Sequence, residues 1–246
     1  MKRLANKNVL ITGGSSGIGL ATAIEFIDEG ATVWITGRNL DKLESIKQQN
    51  EKLNIIISDS SNLNDIQSLS NYFIANAIKL DVLFLNAGVA KFSPIENTTE
   101  EEFDYQFNTN VKGAYFTLQK LLPNINDGAS IIINGSTNAT ANAIGSSIYA
   151  ATKAAIIKIA KVAANELAPR HIRVNILSPG PTLTPGLEGV ADTNVLEYFA
   201  SNMALNRVGK ANELAKAALF LASEDSSFIT GTELIADGGL LNYSLK

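Results

Sequence analysis

The chain has 246 residues, a formal net charge of −4, 46% hydrophobic and 18% charged residues, and no cysteine. Its length supports one substantial core, and its mild acidity with scattered Lys and Arg gives no footprint for nucleic acid or an anionic membrane. The lack of cysteine excludes disulfides, thiolate metal sites and thiol nucleophiles, and no metal site of another kind is expected.

From the N-terminus, short apolar runs alternate with longer amphipathic stretches. Val9-Leu10-Ile11 is too short for a signal-peptide core, and no run approaches the ~18 residues of a membrane span. The expected address is therefore the cytoplasm, with no membrane partner. Residues 8–12 read as a strand, and Thr12-Gly13-Gly14-Ser15-Ser16-Gly17-Ile18-Gly19 turns it into a helix over 18–29. Strands at 32–36, 54–58 and 81–86 follow, separated by helices over 40–52 and 65–78. A helix over 100–121 precedes a strand at 130–134, and one over 147–167 precedes a strand at 173–177. A helix over 212–222 and a strand at 233–236 complete the pattern. Most of these strands carry Ile, Val and Leu without alternation, as strands covered on both faces do. The order predicts a single-domain α/β fold over 1–246, doubly wound and Rossmann-type, with about seven parallel strands flanked by helices on both faces.

One segment departs from the alternation. Residues 178–206 open on Pro179-Gly180-Pro181-Thr182-Leu183-Thr184-Pro185-Gly186 and carry Leu187, Val190, Val195, Leu196, Tyr198, Phe199 and Met203. Gly/Pro hinges with apolar side chains after a strand end read as a substrate lid over 184–206. The alternative is an excursion that packs on the body or on a neighbouring subunit.

Two motifs carry chemistry. In the glycine loop, Gly13 takes the tight turn, Gly17 lets backbone approach a pyrophosphate, and Gly19 allows helix to pack closely on strand. The following helix N-terminus offers free N–H groups to phosphate. The second motif is Tyr149 with Lys153, four residues apart on one helix face. An ammonium beside a phenol favours the phenolate and lowers a pKa that is ordinarily about 10. Ser136 lies thirteen residues before Tyr149. A nucleotide loop together with an activated tyrosine points to redox chemistry. His171, the only histidine, falls in a helix-to-strand turn and reads as a surface residue.

The loop, Asn86-Ala87-Gly88, Asn110, Ser136, the Tyr149/Lys153 pair, Pro179-Gly180 and Asp237-Gly238-Gly239 occur in an order that resembles the short-chain dehydrogenase/reductase family along essentially the whole chain. Leu85 departs from it, standing where the family often has a second Asn, and reads as a packing change. The resemblance implies that Tyr149 is the general acid in carbonyl reduction and the base in alcohol oxidation. Ser136 would polarise the substrate oxygen, Lys153 would activate Tyr149 and bind the nicotinamide ribose, and Asn110 would hold water against Lys153. Cofactor contacts implied by it run over Gly13, Ser15, Ser16, Gly17, Ile18, Gly19, Arg38, Asp59, Ser60, Asn86, Ala87, Gly88, Tyr149, Lys153, Pro179, Gly180, Thr182 and Thr184. Asp59 matches the family's adenine-binding acid, though it also reads as a helix N-cap. Thr184 matches the position that bonds the nicotinamide carboxamide.

Cofactor choice turns on Thr36-Gly37-Arg38-Asn39. Gly37 stands where NAD-selective relatives carry Asp, and the Arg38 guanidinium can clamp a 2′-phosphate. Arg38 also reads as a solvated residue stacking on adenine, and Ser15 and Ser16 supply no second cation. NADP(H) is favoured, with NAD(H) as the alternative. The expected activity is interconversion of a small-molecule carbonyl and a secondary alcohol. The rivals are an NAD(H)-preferring alcohol dehydrogenase and a non-redox or nucleotide-sensing member. Phe92, Ile144 and the lid side chains predict a mostly apolar substrate pocket, with Asn138 and Ser146 as polar contacts. In the resembled family the helices over 100–121 and 147–167 pair across a two-fold axis, and residues 237–245 often contact a further subunit. A homotetramer is expected, with a dimer as the fallback.

Overall fold

The structure is a computed structural model that describes residues 2–189 and 191–242. Its strands are β1 (Asn8–Ile11), β2 (Thr32–Gly37), β3 (Asn54–Ile57), β4 (Leu80–Leu85), β5 (Ile125–Asn134), β6 (Arg173–Pro179), β7 (Thr182–Leu183), β8 (Gly209–Lys210) and β9 (Glu233–Ala236). Seven of them form one sheet in the order β3-β2-β1-β4-β5-β6-β9, every pair parallel. Chain order reverses between β1 and β4, which opens a crevice at their carboxyl ends.

The helices are α1 (Gly17–Asp28), α2 (Leu40–Gln49), α3 (Leu63–Ala75), α4 (Glu100–Phe107), α5 (Ala114–Leu121), α6 (Ser147–Glu166), α7 (Pro185–Glu188), α8 (Thr193–Ser201) and α9 (Ala211–Ala222). Successive strand residues point to opposite faces, and both faces are covered. Val9, Ile11, Val33, Ile35 and Phe84 pack with Phe26 of α1, Leu43 of α2 and Leu214 of α9. Leu10, Leu83, Ile131 and Ile133 pack on the other face with Phe73 of α3, Leu121 of α5 and Ile156 of α6. This two-sided burial is the physical reason that the strands read as unbroken apolar runs. Each fully buried Leu or Ile contributes roughly 1.5–3 kcal/mol.

Three features differ from the sequence expectation. The single helix expected over 100–121 is interrupted by a π-helical turn, Asn108–Gly113, between α4 and α5. Three neighbours hold that turn: the Asn110 side chain is bonded to the Val89 backbone and to Thr152 Oγ1, and Gly113 lies directly against the Ser60 carbonyl. β5 starts at Ile125, which pairs with Leu80 before a register shift, because a polar stretch at 126–128 hides a strand start. The 178–206 segment holds α7, α8 and β7, which pairs with β8 in a separate ladder. Its far end is anchored: Met203 is buried and Leu205 N–H donates to Gly238 O at 3.0 Å. Val190 of that segment, and Tyr243 to Lys246 of the C-terminal segment expected at a subunit contact, lie outside the described residues. Among the described residues no helix is long and apolar enough to cross a membrane.

Candidate active site

A groove of about 320 Å³ runs along the carboxyl ends of β1, β2 and β4. Gly13, Ser15, Ser16, Gly17, Ile18, Arg38, Asp59, Ser60, Asn86, Ala87, Gly88 and Thr184 line it. Glycine is required at its floor. Gly13 has φ +64°, and a Cβ there would lie 2.8 Å from Ala87 Cα. Gly19 sits beneath the groove, where a Cβ would come within 2.5 Å of the Asn86 amide and the Gly13 carbonyl oxygen. Asn86 Nδ2 ties β4 to the loop by donating to Thr12 O and Gly13 O.

The groove's chemistry fits a phosphate-bearing nucleotide. Ser16, the N-cap of α1, makes no side-chain capping bond, and the first turn holds no acid. α2, α3, α4 and α8 are by contrast capped by Asn39, Asn62, Thr99 and Asp192. The first-turn N–H groups of α1 are thus left for an anion. Thr109 Oγ1 and Asn134 Oδ1 also border the groove, buried and without a hydrogen-bond partner. Such groups are costly unless a ligand meets them.

Beside the groove lie the residues that the sequence analysis expects to be catalytic. Ser136 is buried at the end of a loop after β5, its Oγ accepting from Asn138 N–H at 3.2 Å. Tyr149 and Lys153 project from the first turns of α6, with Lys153 Nζ 5.7 Å from the Tyr149 ring centroid. The ammonium donates to Asn134 O at 2.8 Å. The Tyr149 pKa moves opposite to the sequence expectation. Burial pushes the phenol above its ordinary value, and the Ser136 hydroxyl only partly opposes this. Burial also lowers Lys153 to about 8. Helical spacing fixes which face the two side chains share, but says nothing of how deeply that face is desolvated.

Asn110 is spent on structure. Its Oδ1 accepts from Val89 N–H, and its Nδ2 donates to Val89 O and to Thr152 Oγ1. A gap kept open by Gly88 separates it from Lys153: a Cβ at that glycine would lie 3.3 Å from Asn110 Oδ1 and 3.5 Å from Lys153 Nζ. Asp59 does not cap α3, a role taken by Asn62; its Oδ1 accepts from Ser61 N–H and Oγ–H. Thr184 Oγ1 caps α7 through Leu187 N–H. Pro179, Gly180 and Thr182 are not among the groove's lining residues. Thr182 Oγ–H donates to Gly180 O, and Gly180 packs against Asp237.

Sequence reasoning missed Asn134 and Thr109. Asn134 ends β5, so the rule that ligands gather at strand carboxyl ends was a usable signal. Thr109 sits in the π-turn, whose geometry no periodicity reveals. His171 is exposed, as expected. On the substrate side, the Phe92 ring meets Tyr149 edge to face at 5.8 Å. A second cavity of about 650 Å³ opens among Pro94, Ile95, Ala143, Ile144 and Ala150. Ser146 is not a free polar contact there, since it is buried with its hydroxyl on Ala143 O.

Comparison with known proteins matches this architecture. Residues 13–241 fit the family profile described as Enoyl-(Acyl carrier protein) reductase. The chain is 38% identical to oxidoreductase asL5 of Sarocladium schorii, covering 98% of each protein. It is 34% identical to a 3-oxoacyl-[acyl-carrier-protein] reductase of Thermotoga maritima, covering 97% of this chain and 99% of that one. A short-chain dehydrogenase of Burkholderia cenocepacia, solved in complex with NADP, superposes with a TM-score of 0.89 at 31% identity, covering 97% and 99% of the two chains. Sheet order, groove and relatives agree, and the chain belongs to the short-chain dehydrogenase/reductase family, oxidoreductases that act on CH–OH and C=O groups with NAD(P)(H).

Proposed function

We propose that the protein interconverts a ketone and a secondary alcohol, with NADP(H) preferred over NAD(H). The observation that carries the reaction is the corner formed by buried Ser136 and Lys153 with half-buried Tyr149 beside the groove. A phenol held above its ordinary value near 10 is protonated at neutral pH. Tyr149 therefore rests as the proton donor that carbonyl reduction needs. Ser136 would hydrogen-bond the substrate oxygen as it gains negative charge. Lys153 holds its position through Asn134 O and keeps a cationic charge close to the developing phenolate below about pH 8. Asn110 acts as a positioning residue through Val89 and Thr152, and the gap beside Gly88 is where water would join it to Lys153. A nicotinamide bound in the groove would supply the hydride.

Preference for NADP(H) is supported by Arg38, the one cation among the described residues lining the groove. The segment 184–206 is our substrate lid: its root at Thr184, Pro185 and Gly186 borders the groove, and Tyr198 stands exposed on α8. Phe92 and Ile144 favour an apolar substituent on the carbonyl.

The deciding experiment is Tyr149→Phe, which keeps the ring and removes the transferable proton. Turnover of NADPH with a ketone panel, followed at the nicotinamide absorbance, should fall by ~10²–10⁴. Cofactor binding by fluorescence titration should survive. Comparable turnover in the variant would sink the assignment.

A further inference from the structure

We infer that Tyr105 is a specificity-determining residue: its phenol stands beside the Arg38 guanidinium at the rim of the groove, and the two offer donors side by side to one 2′-phosphate. The two residues are 67 positions apart, Arg38 just past β2 and Tyr105 on α4, yet Arg38 Nη1 lies 3.5 Å from Tyr105 Oη. That bond is at the long limit, Arg38 is exposed and Tyr105 is only half-buried. A contact so loose does little for the fold. It leaves a planar fork and an aryl hydroxyl side by side, which is the donor set that a phosphate takes.

Two further observations place a polar ligand at this wall. Thr109, one helical turn beyond Tyr105, is 6% exposed, borders the groove and has a hydroxyl with no partner. Among the described residues Arg38 forms no ion pair, because the neighbouring Asp59 carboxylate is turned onto Ser61. The guanidinium keeps its charge for an incoming anion. Tyr105 would then add a neutral donor and fix the direction from which the fork approaches.

This inference rests on the NADP(H) reading, and the two can fail separately. Calorimetric titration with 2′,5′-ADP and with 5′-ADP tests both without turnover. The wild type should prefer 2′,5′-ADP. Tyr105→Phe, which keeps the ring and its packing, should weaken 2′,5′-ADP by about tenfold and leave 5′-ADP unchanged. Arg38→Ala should erase the preference, and adding Tyr105→Phe to it should change little more. If Arg38→Ala erases the preference while Tyr105→Phe weakens neither ligand, or both equally, the role of Tyr105 is refuted and Arg38 stands alone. A wild type that binds the two ligands equally overturns the cofactor reading, and this inference with it.

Discussion

Lys153 sits where an ammonium is costly, and burial lowers its pKa from 10.5 to about 8. Because the folded value lies below the unfolded one, the folded state gives up its proton first. The resulting contribution to stability is fully present above about pH 10.5 and is lost as pH falls through about 8. At 1.36 kcal/mol per pKa unit the swing is on the order of 3 kcal/mol. Urea unfolding of wild type and Lys153→Met between pH 7 and 10 should therefore show the wild type gaining on the variant as pH rises. A flat difference would mean that the ammonium is solvated. The same burial explains what was legible here and what was not. The residue types, their order and their shared helix face were readable; the direction of the Tyr149 shift was not, since it depends on what covers α6. Gly37 is a parallel case. Its lack of an acid was visible, but a Cβ there would lie 3.2 Å from both Cβ and Oγ of Ser15, so that an NAD-type acid would crowd the loop.

At the scale of elements, the π-turn at Asn108–Gly113 joins the proposed catalytic corner to the proposed nucleotide groove. Asn110 reaches Val89 and Thr152 on one side, Thr109 borders the groove, and Gly113 rests against the Ser60 carbonyl. A side chain at Gly113 collides with backbone rather than with a flexible neighbour, so Gly113→Ala must push either the turn or the Asp59–Ser60 loop aside. Overpacking of this sort costs ~1–3 kcal/mol. The variant should lose about that much in urea unfolding and bind NADPH more weakly, because Ser60 and Thr109 line the same groove. Full loss of stability with unchanged affinity would show that the turn and the groove are uncoupled. No periodicity reveals such a turn: one extra residue shifts the apolar stripe too little, and the contacts that hold it come from residues 60, 89 and 152. The seven sheet strands were readable for the opposite reason, since burial on both faces writes itself into each run. The start of β5 was hidden because Asn126, Asp127 and Gly128 are polar or turn-forming, and Ile125 is strand only through Leu80.

For the whole molecule, the helices on one side of the sheet leave large apolar groups in solvent. Phe103 on α4, Tyr115 on α5 and Val162 on α6 are each more than 40% exposed, and Phe103 stacks on Phe107 at 4.5 Å. A separate patch lies around the last strand, where Phe228 is fully exposed and Ile235 of β9 is 38% exposed. Burying these side chains is worth roughly 1.5–3 kcal/mol each. Two apolar patches on different elements fit two different isologous contacts, and two such contacts close into a dihedral tetramer. Light scattering at micromolar concentration should then give four times the monomer's 26.2 kDa. Phe228→Glu places a charge in the second patch alone and should halve that mass, leaving a dimer held by α4, α5 and α6. Val162→Glu should halve it as well, leaving the other dimer. A wild-type mass near 26.2 kDa would end the tetramer argument, and a tetramer unmoved by either charge would show that the contacts lie elsewhere on the surface.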